Sequence, residues 1–87
     1  MKQPSFDSVN RNLEAACDYL RSFTLARQGF TAKHGMEGIK LVTAGCDRMD
    51  KLFSTGPNAL RSKLLVTSAR SKVMAAKARL SVLGIAI

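Results

Sequence analysis

Apolar residues recur along the chain at alternating intervals of three and four positions, in three separate series. The first series consists of Phe6, Val9, Leu13, Ala16, Leu20 and Phe23. Such spacing is the seven-residue repeat of helices that pack side by side at shallow angles. With Ser5 or Asp7 as the N-cap, it predicts a first helix over residues 6–28. Arg27 is the one charged residue on this series, so we expect the helix to bend near Gly29 or the Arg27 side chain to extend outward along its methylene groups.

A second series predicts a second helix over residues 36–54. Its members are Ile39, Val42, Cys46, Met49 and Phe53. Residues 29–38 contain three glycines, and a glycine inside a helix costs about 1 kcal/mol relative to alanine. We therefore predict a connection over 29–38, with a bent continuous helix as the alternative. Gly56 and Pro57 mark the end of the second helix, because glycine adopts the left-handed conformation and proline cannot continue the hydrogen-bond ladder.

The third series keeps the same spacing through a stretch without proline or glycine and predicts the longest helix of the chain. It runs through Val66, Ala69, Val73, Ala76, Leu80, Leu83 and Ile87. The two interior alanines allow a close approach of another helix.

These three series indicate an all-α protein of one domain, either a small helical bundle or a helical hairpin of about three helices. Residues 1–56 form a two-helix N-terminal region, and residues 57–87 form a long basic helix. A chain of 87 residues buries only somewhat more than about 60% of its unfolded surface, so we expect oligomerisation or a partner to complete the fold. The residues expected in the core or at an oligomer interface are Leu13, Leu20, Phe23, Ile39, Val42, Met49, Phe53, Val66, Val73 and Leu80.

The positive charge of the chain is concentrated in residues 51–87. This segment has seven Lys and Arg and no acid, whereas residues 1–50 have seven Lys and Arg and all six acids, so +7 of the net charge of +8 lies in the second segment. On the predicted third helix the cations form two rows that flank the apolar series. One row contains Lys63, Arg70 and Lys77, and the other contains Lys72 and Arg79. With no acid on the same segment, we expect an uncancelled positive field that attracts a negative partner.

The positions of this helix that face away from the apolar series are uncharged. They are Leu64, Thr67, Ser68, Ser71, Met74, Ala75, Ala78, Ser81 and Val82. An ordinary solvated face would carry pairs of Glu and Lys.

The charge pattern favours sequence-independent binding to the phosphate backbone of a nucleic acid, with double-stranded RNA preferred because the helix lacks aromatic residues for base stacking. The predicted contacts are Arg61, Lys63, Arg70, Lys72, Lys77 and Arg79. One alternative is a non-catalytic accessory or structural subunit whose basic helix docks into a larger ribonucleoprotein or membrane-associated complex. Another is an amphipathic helix on an anionic membrane surface, which the absence of Trp and Phe on the apolar side disfavours. We also expect a homo-oligomer or a helical protein partner.

No motif in the sequence indicates an enzyme, a cofactor, a metal site or a small-molecule substrate. His34 is the only histidine, and no Cys or His ligand spacing is present. We predict that Cys17 and Cys46 are small buried hydrophobic residues of a reducing, cytoplasmic compartment. No targeting segment is visible, and the apolar stretch at residues 80–87 is short of the roughly 20 residues of a membrane-spanning helix, so membrane contact is expected to be peripheral at most.

Overall fold

A computed structural model describes residues 4–85 and arranges them as a bundle of three helices, without a β-strand in that range. The helices are α1, Phe6–Thr24, α2, Ala32–Phe53, and α3, Ala59–Val82. Helix α2 runs antiparallel to the other two, and the bundle measures 42 × 19 × 19 Å. The predicted all-α class is therefore confirmed, and the bundle replaces the hairpin alternative.

The three apolar series converge on one core between the helices. All but one of the ten predicted core residues are buried. Phe53 is the exception, because it lies at the end of α2, where its half-buried ring packs edge-to-face on Phe6 with the centroids 5.2 Å apart. The three-four spacing therefore identified the packed face of every helix.

Helix α1 ends at Thr24, four residues before the predicted end. Ala26 adopts a left-handed backbone conformation with φ of 57°, and the N–H of Arg27 donates to the carbonyl of Ser22 at 3.0 Å. This hydrogen bond satisfies a carbonyl of the last turn and reverses the chain. Arg27 therefore lies beyond the helix, where its guanidinium donates to the Ser22 hydroxyl at 3.1 Å. The helix ends before Arg27, so it neither bends near Gly29 nor carries Arg27 on its apolar side.

Helix α2 begins at Ala32, four residues before the predicted start, so the predicted connection over 29–38 is wrong for residues 32–38. Gly35 and Gly38 lie inside the helix and are buried against α1. A Cβ atom at Gly35 would lie 2.5 Å from the ring of Phe23, and one at Gly38 would lie 2.9 Å from the nearest side-chain atom of Leu20. The glycines allow two helices to touch where any larger residue would separate them, and this packing outweighs their low helix propensity.

The first turn of α2 is capped by a histidine. The backbone N–H of Thr31 donates to Nδ1 of His34 at 3.0 Å. The His34 ring also packs near the rings of Phe30 and Tyr19, at centroid distances of 5.4 and 6.1 Å. His34 therefore joins the start of α2 to α1, in a structural position that explains its presence.

Helix α3 is shorter at both ends than the predicted helix over 57–87. It begins after Asn58, and its last turn closes where Gly84 takes φ of +84° and the N–H of Ile85 donates to the carbonyl of Leu80 at 2.9 Å. Residues 86 and 87 of the prediction lie outside the described range. The end of α2 at Phe53, followed by Gly56 with φ of +88°, confirms the predicted stop within one residue.

Candidate nucleic-acid interface

The structure places the two predicted rows of cations on opposite edges of α3. Arg70 and Lys77 line a cleft next to Thr43 and Cys46 of α2, and Lys63 lies in the same row beside Asp50. Lys72 lies in the other row and lines a cleft with residues of α1. Since the buried side of α3 lies between the two rows, a single flat partner cannot contact both rows equally well.

Arg70 is neutralised by acids of the neighbouring helix. Its Nη2 atom lies 3.5 Å from Oδ1 of Asp47 and 3.3 Å from Oδ2 of Asp50. Slight burial lowers the pKa of the guanidinium, but the hydrogen bonds to Asp50 and Asp47 outweigh it and the net pKa is raised. The expectation of an uncancelled positive field is therefore wrong at Arg70.

Lys72 also has polar neighbours within the bundle. Its ammonium group donates to the Ser68 hydroxyl at 3.0 Å, and the cleft that it lines includes Glu14 and Asp18 of α1. Together with Asp47 and Asp50, four of the six acids of the chain lie on the sides of α1 and α2 next to α3. The fold thus brings acids from the first half of the chain to the basic helix, which a count along the sequence does not show.

Two arginines of α3 lie over aromatic rings of α1, one near each end of the bundle. The guanidinium carbon of Arg61 is 4.6 Å from the centroid of the Phe6 ring, and that of Arg79 is 5.4 Å from the centroid of Phe23. Stacking of this kind holds the planar group in place. It leaves the exposed Arg61 available to oxygen acceptors, whereas Nε of the half-buried Arg79 is covered. Lys63 and Lys77 are exposed and form no ion pair within the described residues.

The two ends of the bundle differ in net charge. We name each end after the connection that lies there: the α1–α2 end consists of residues 16–42 and 71–85, and the α2–α3 end consists of residues 4–15 and 43–70. The α1–α2 end carries seven Lys and Arg and two acids, a net charge of +5, whereas the α2–α3 end carries six Lys and Arg and four acids, a net charge of +2. The cations of the α1–α2 end are Arg21, Arg27, Lys33, Lys40, Lys72, Lys77 and Arg79.

Only three of the six predicted contacts, Lys72, Lys77 and Arg79, belong to this more basic end. The structure places Arg61 and Lys63 at the other end and Arg70 between acids. Sequence reasoning missed the cations of α1 and α2 because their own segments contain acids. Treating the first two helices as an antiparallel pair would have grouped the end of α1, the start of α2 and the end of α3.

A small cleft at the α1–α2 end is lined by residues of α1 and α3, two of which are cations. Its lining consists of Arg21, Thr24, Leu25, Lys72 and Ala75, with no acid. The lining is mostly apolar, and the Lys72 ammonium is directed to the Ser68 hydroxyl outside this cleft, so the cleft itself is not built to hold an anion.

The two thiols line clefts beside cations of α3, Cys17 in the cleft with Lys72 and Cys46 in the cleft with Arg70 and Lys77. Cys46 is buried, as predicted, whereas Cys17 is half-buried; both are free. Burial raises the pKa of each thiol. Among residues 4–85, no group of three or more His, Cys, Asp or Glu side chains is placed to hold a metal ion.

Comparison with known proteins gives no relative for this chain, since no family model, curated protein or solved structure matches it. Within the described residues, none of the helices has the length and apolar character needed to cross a membrane.

Proposed function

We propose that this protein binds the phosphate backbone of nucleic acid independently of base sequence, that double-stranded RNA is its preferred ligand, and that the contact is made by the α1–α2 end. The observation that carries the proposal is the net charge of +5 on this end, where seven cations accompany two acids. Lys and Arg side chains that neutralise phosphates release bound counterions, which supplies most of the affinity in sequence-independent binding.

The other side chains of this end support backbone contact rather than base stacking. Tyr19 and Phe30 are half-buried and pack against each other with their ring centroids 5.7 Å apart, so their faces are not open to unpaired bases. Single-strand binding surfaces rely on exposed aromatic faces, whereas duplex RNA is bound through its phosphates and 2′-hydroxyls. Ser71 and Ser81 are exposed on α3 at this end and provide hydroxyls for such contacts.

The test is a titration of binding to duplex RNA, duplex DNA and single-stranded RNA over a range of salt concentrations, measured by fluorescence anisotropy. We expect the logarithm of the association constant to fall linearly with the logarithm of the salt concentration, with a slope of about −0.9 per phosphate contact on duplex DNA. Duplex RNA should bind more tightly than single-stranded RNA. If none of the three nucleic acids binds at low salt, the proposal is wrong.

Two variants with the same net charge locate the contact. The first replaces Arg21, Lys33 and Lys77 of the α1–α2 end by Gln, and the second replaces Arg11, Arg48 and Lys51 of the α2–α3 end by Gln. All six side chains are exposed, so both variants should keep the helical content of the wild type. The first should weaken binding much more and reduce the salt slope by about 0.9 for each lost contact. Equal losses would show that net charge, rather than the α1–α2 end, determines binding.

A further inference from the structure

Helix α3 carries a second apolar series on the side that faces away from the bundle. We define this outer series as Leu60, Leu64, Thr67, Ser71, Met74, Ala78 and Val82. The intervals are again mostly three and four residues, so the members form one strip along the helix. Its large side chains are strongly exposed, with 70% of Leu60, 63% of Leu64, 66% of Met74 and 85% of Val82 accessible to solvent.

The outer sides of the other two helices differ from this strip. Exposed positions on α1 include Arg11, Glu14 and Asp18, and those on α2 include Lys40 and Arg48. The strip on α3 is uncharged from end to end, and at about 1.5 Å per residue it extends over roughly 33 Å from Leu60 to Val82. A helix that is apolar or small on both sides is normally covered on both sides.

The strip is bordered by a row of cations at the edge next to α2. Lys63, Arg70 and Lys77 recur every seven residues, so they form one row that turns by only about 20° per repeat around the helix. On the opposite border lie Arg61, Ser68 and Ala75, together with Arg79 of the second row of cations. A partner would therefore meet positive charge on both sides, and a regular line of it on the side next to α2.

We infer that the outer series of α3 is a docking surface for an amphipathic helix of a partner protein that carries Glu or Asp along the edge facing Lys63, Arg70 and Lys77. In coiled-coil packing, residues beside the apolar contact pair by charge across the interface and select the partner. The small residues Thr67, Ser71 and Ala78 allow the two helix backbones to approach, while Leu64 and Met74 insert between side chains of the partner. Arg70 contacts Asp47 and Asp50 in the free protein and would contact Glu or Asp of the partner helix in the complex.

Charge disfavours a second copy of this chain as the occupant. Antiparallel pairing of two outer series would place the row of Lys63, Arg70 and Lys77 against itself. Parallel pairing would place it against the opposite border, where Ser68 and Ala75 provide no counter-charge and Arg61 and Arg79 are also positive, and each copy has a net charge of +8. An acidic helix satisfies the same row directly.

The composition of the strip also disfavours a lipid surface. Thr67 and Ser71 lie in its centre, and no Trp, Tyr or Phe occurs among its residues to anchor a helix at the interface of a bilayer. A partner helix accommodates these hydroxyls because they can donate to backbone carbonyls of their own turn, as Thr67 does to Lys63 at 2.8 Å. Lys77 and Ser71 are shared with the proposed nucleic-acid contact, but the inference depends on the exposed apolar side chains of Leu64 and Met74, which phosphates do not contact.

The experiment uses the full chain and a designed peptide as the probe. The peptide is about as long as α3, with Leu and Ala on its apolar positions and Glu beside them, and a control peptide has the same composition with the apolar pattern scrambled. Binding is measured by isothermal titration calorimetry for the wild type and for a Leu64→Gln, Met74→Gln variant. A Leu41→Gln variant, which changes an exposed leucine of α2, serves as the matched control.

We expect the patterned peptide to bind the wild type and the Leu41→Gln variant equally, and the Leu64→Gln, Met74→Gln variant at least about tenfold more weakly. All these side chains are exposed, so circular dichroism should show unchanged folding. Equal binding of the patterned and scrambled peptides, or of both variants, would overturn the inference, because net charge alone would then explain the binding. It would also be overturned by self-association that depends on Leu64, or by vesicles of anionic lipid binding through Leu64 and Met74 when the peptide does not.

Discussion

The interface between α1 and α2 and the outer side of α3 have the same spacing of residues, but the first is buried within the chain and the second is exposed. Between α1 and α2 the contact is completed within the chain, because Gly35 and Gly38 let Phe23 and Leu20 lie directly on the backbone of α2. On α3 the inner series is covered by the other helices, whereas Leu60, Leu64 and Met74 of the outer series remain exposed.

The difference separates residues that the fold requires from residues that it does not. A bundle of three helices needs one buried strip on each helix, and Val66, Val73 and Leu80 provide it on α3. The outer series adds nothing to this core. Its apolar side chains form the docking surface that we propose, and substitutions on the two sides of α3 should have very different effects on stability.

The largest expected difference is between Leu80→Ala and Leu64→Ala. Leu80 is fully buried and Leu64 is exposed, and both lie within α3, so helix propensity changes by the same small amount. Leu80→Ala should lower the free energy of unfolding by about 2–5 kcal/mol because it leaves a cavity. Leu64→Ala should change it by less than about 0.5 kcal/mol. Urea denaturation followed by circular dichroism measures both, and a comparable loss from both substitutions would contradict the assignment of inner and outer sides.

The helices and the core were predictable because they depend on local periodicity. The spacing that led to Leu20, Met49 and Leu80 is visible in the sequence, and amphipathic helices bury the side that the spacing defines. The start of α2 was not predictable in this way. Local propensity disfavours Gly35 in a helix, and the compensation comes from the ring of Phe23, which lies on another helix.

The charged surface was only partly predictable for a similar reason. The rows on α3 follow from sequence spacing, but the partners of Arg70 come from α2, twenty or more positions earlier in the chain. Likewise, Arg21 and Lys72 reach the same cleft only after α1 and α3 have packed side by side. Packing brings charged residues of distant segments together, so the net charge of a surface could not be predicted from the net charge of one segment.

The second prediction tests the close approach of α1 and α2 with a graded series of substitutions. Gly35→Ala would place a Cβ 2.5 Å from the buried ring of Phe23 and should cost about 1–3 kcal/mol. Gly38→Ala should cost less, because the nearest atom is a methyl of Leu20, although the Leu20 backbone is also close. Gly45→Ala meets only the flexible end of Leu13, and its gain of about 1 kcal/mol in helix propensity should make it neutral or stabilising.

All three variants replace Gly by Ala, so the order of their stabilities reports how closely the two helices approach at each position. Thermal and urea unfolding should rank them with Gly35→Ala least stable and Gly45→Ala most stable. Equal stabilities would mean that propensity dominates and that the two helices can move apart without loss.

The third prediction concerns the histidine that caps α2 beside α1. His34→Ala removes the acceptor for the N–H of Thr31 and should cost about 1 kcal/mol, as the loss of a helix cap does. His34→Gln keeps an acceptor at the same position of the first turn and should recover part of the loss, since Gln forms capping boxes. Both variants lose the ring contacts with Phe30 and Tyr19, so their difference in unfolding free energy isolates the cap. If Gln and Ala are equally destabilising, the ring contacts rather than the hydrogen bond stabilise this end.

The smallest expected effect distinguishes the partnered cation of α3 from its neighbour in the same row. Arg70 contacts Asp47 and Asp50, whereas Lys77 is exposed and has no ion pair within the described residues. Exposed ion pairs contribute between roughly 0 and 1 kcal/mol, so Arg70→Gln should lower the free energy of unfolding by less than about 1 kcal/mol. Lys77→Gln should leave the free energy of unfolding unchanged or raise it slightly, because it relieves repulsion among cations.

The free energies of unfolding of the two variants should converge at high salt, where exposed charges are screened. Urea denaturation at low and high salt measures this convergence. A difference that persists at high salt would show that Arg70 stabilises the bundle by packing its side chain on α2 rather than by its charge.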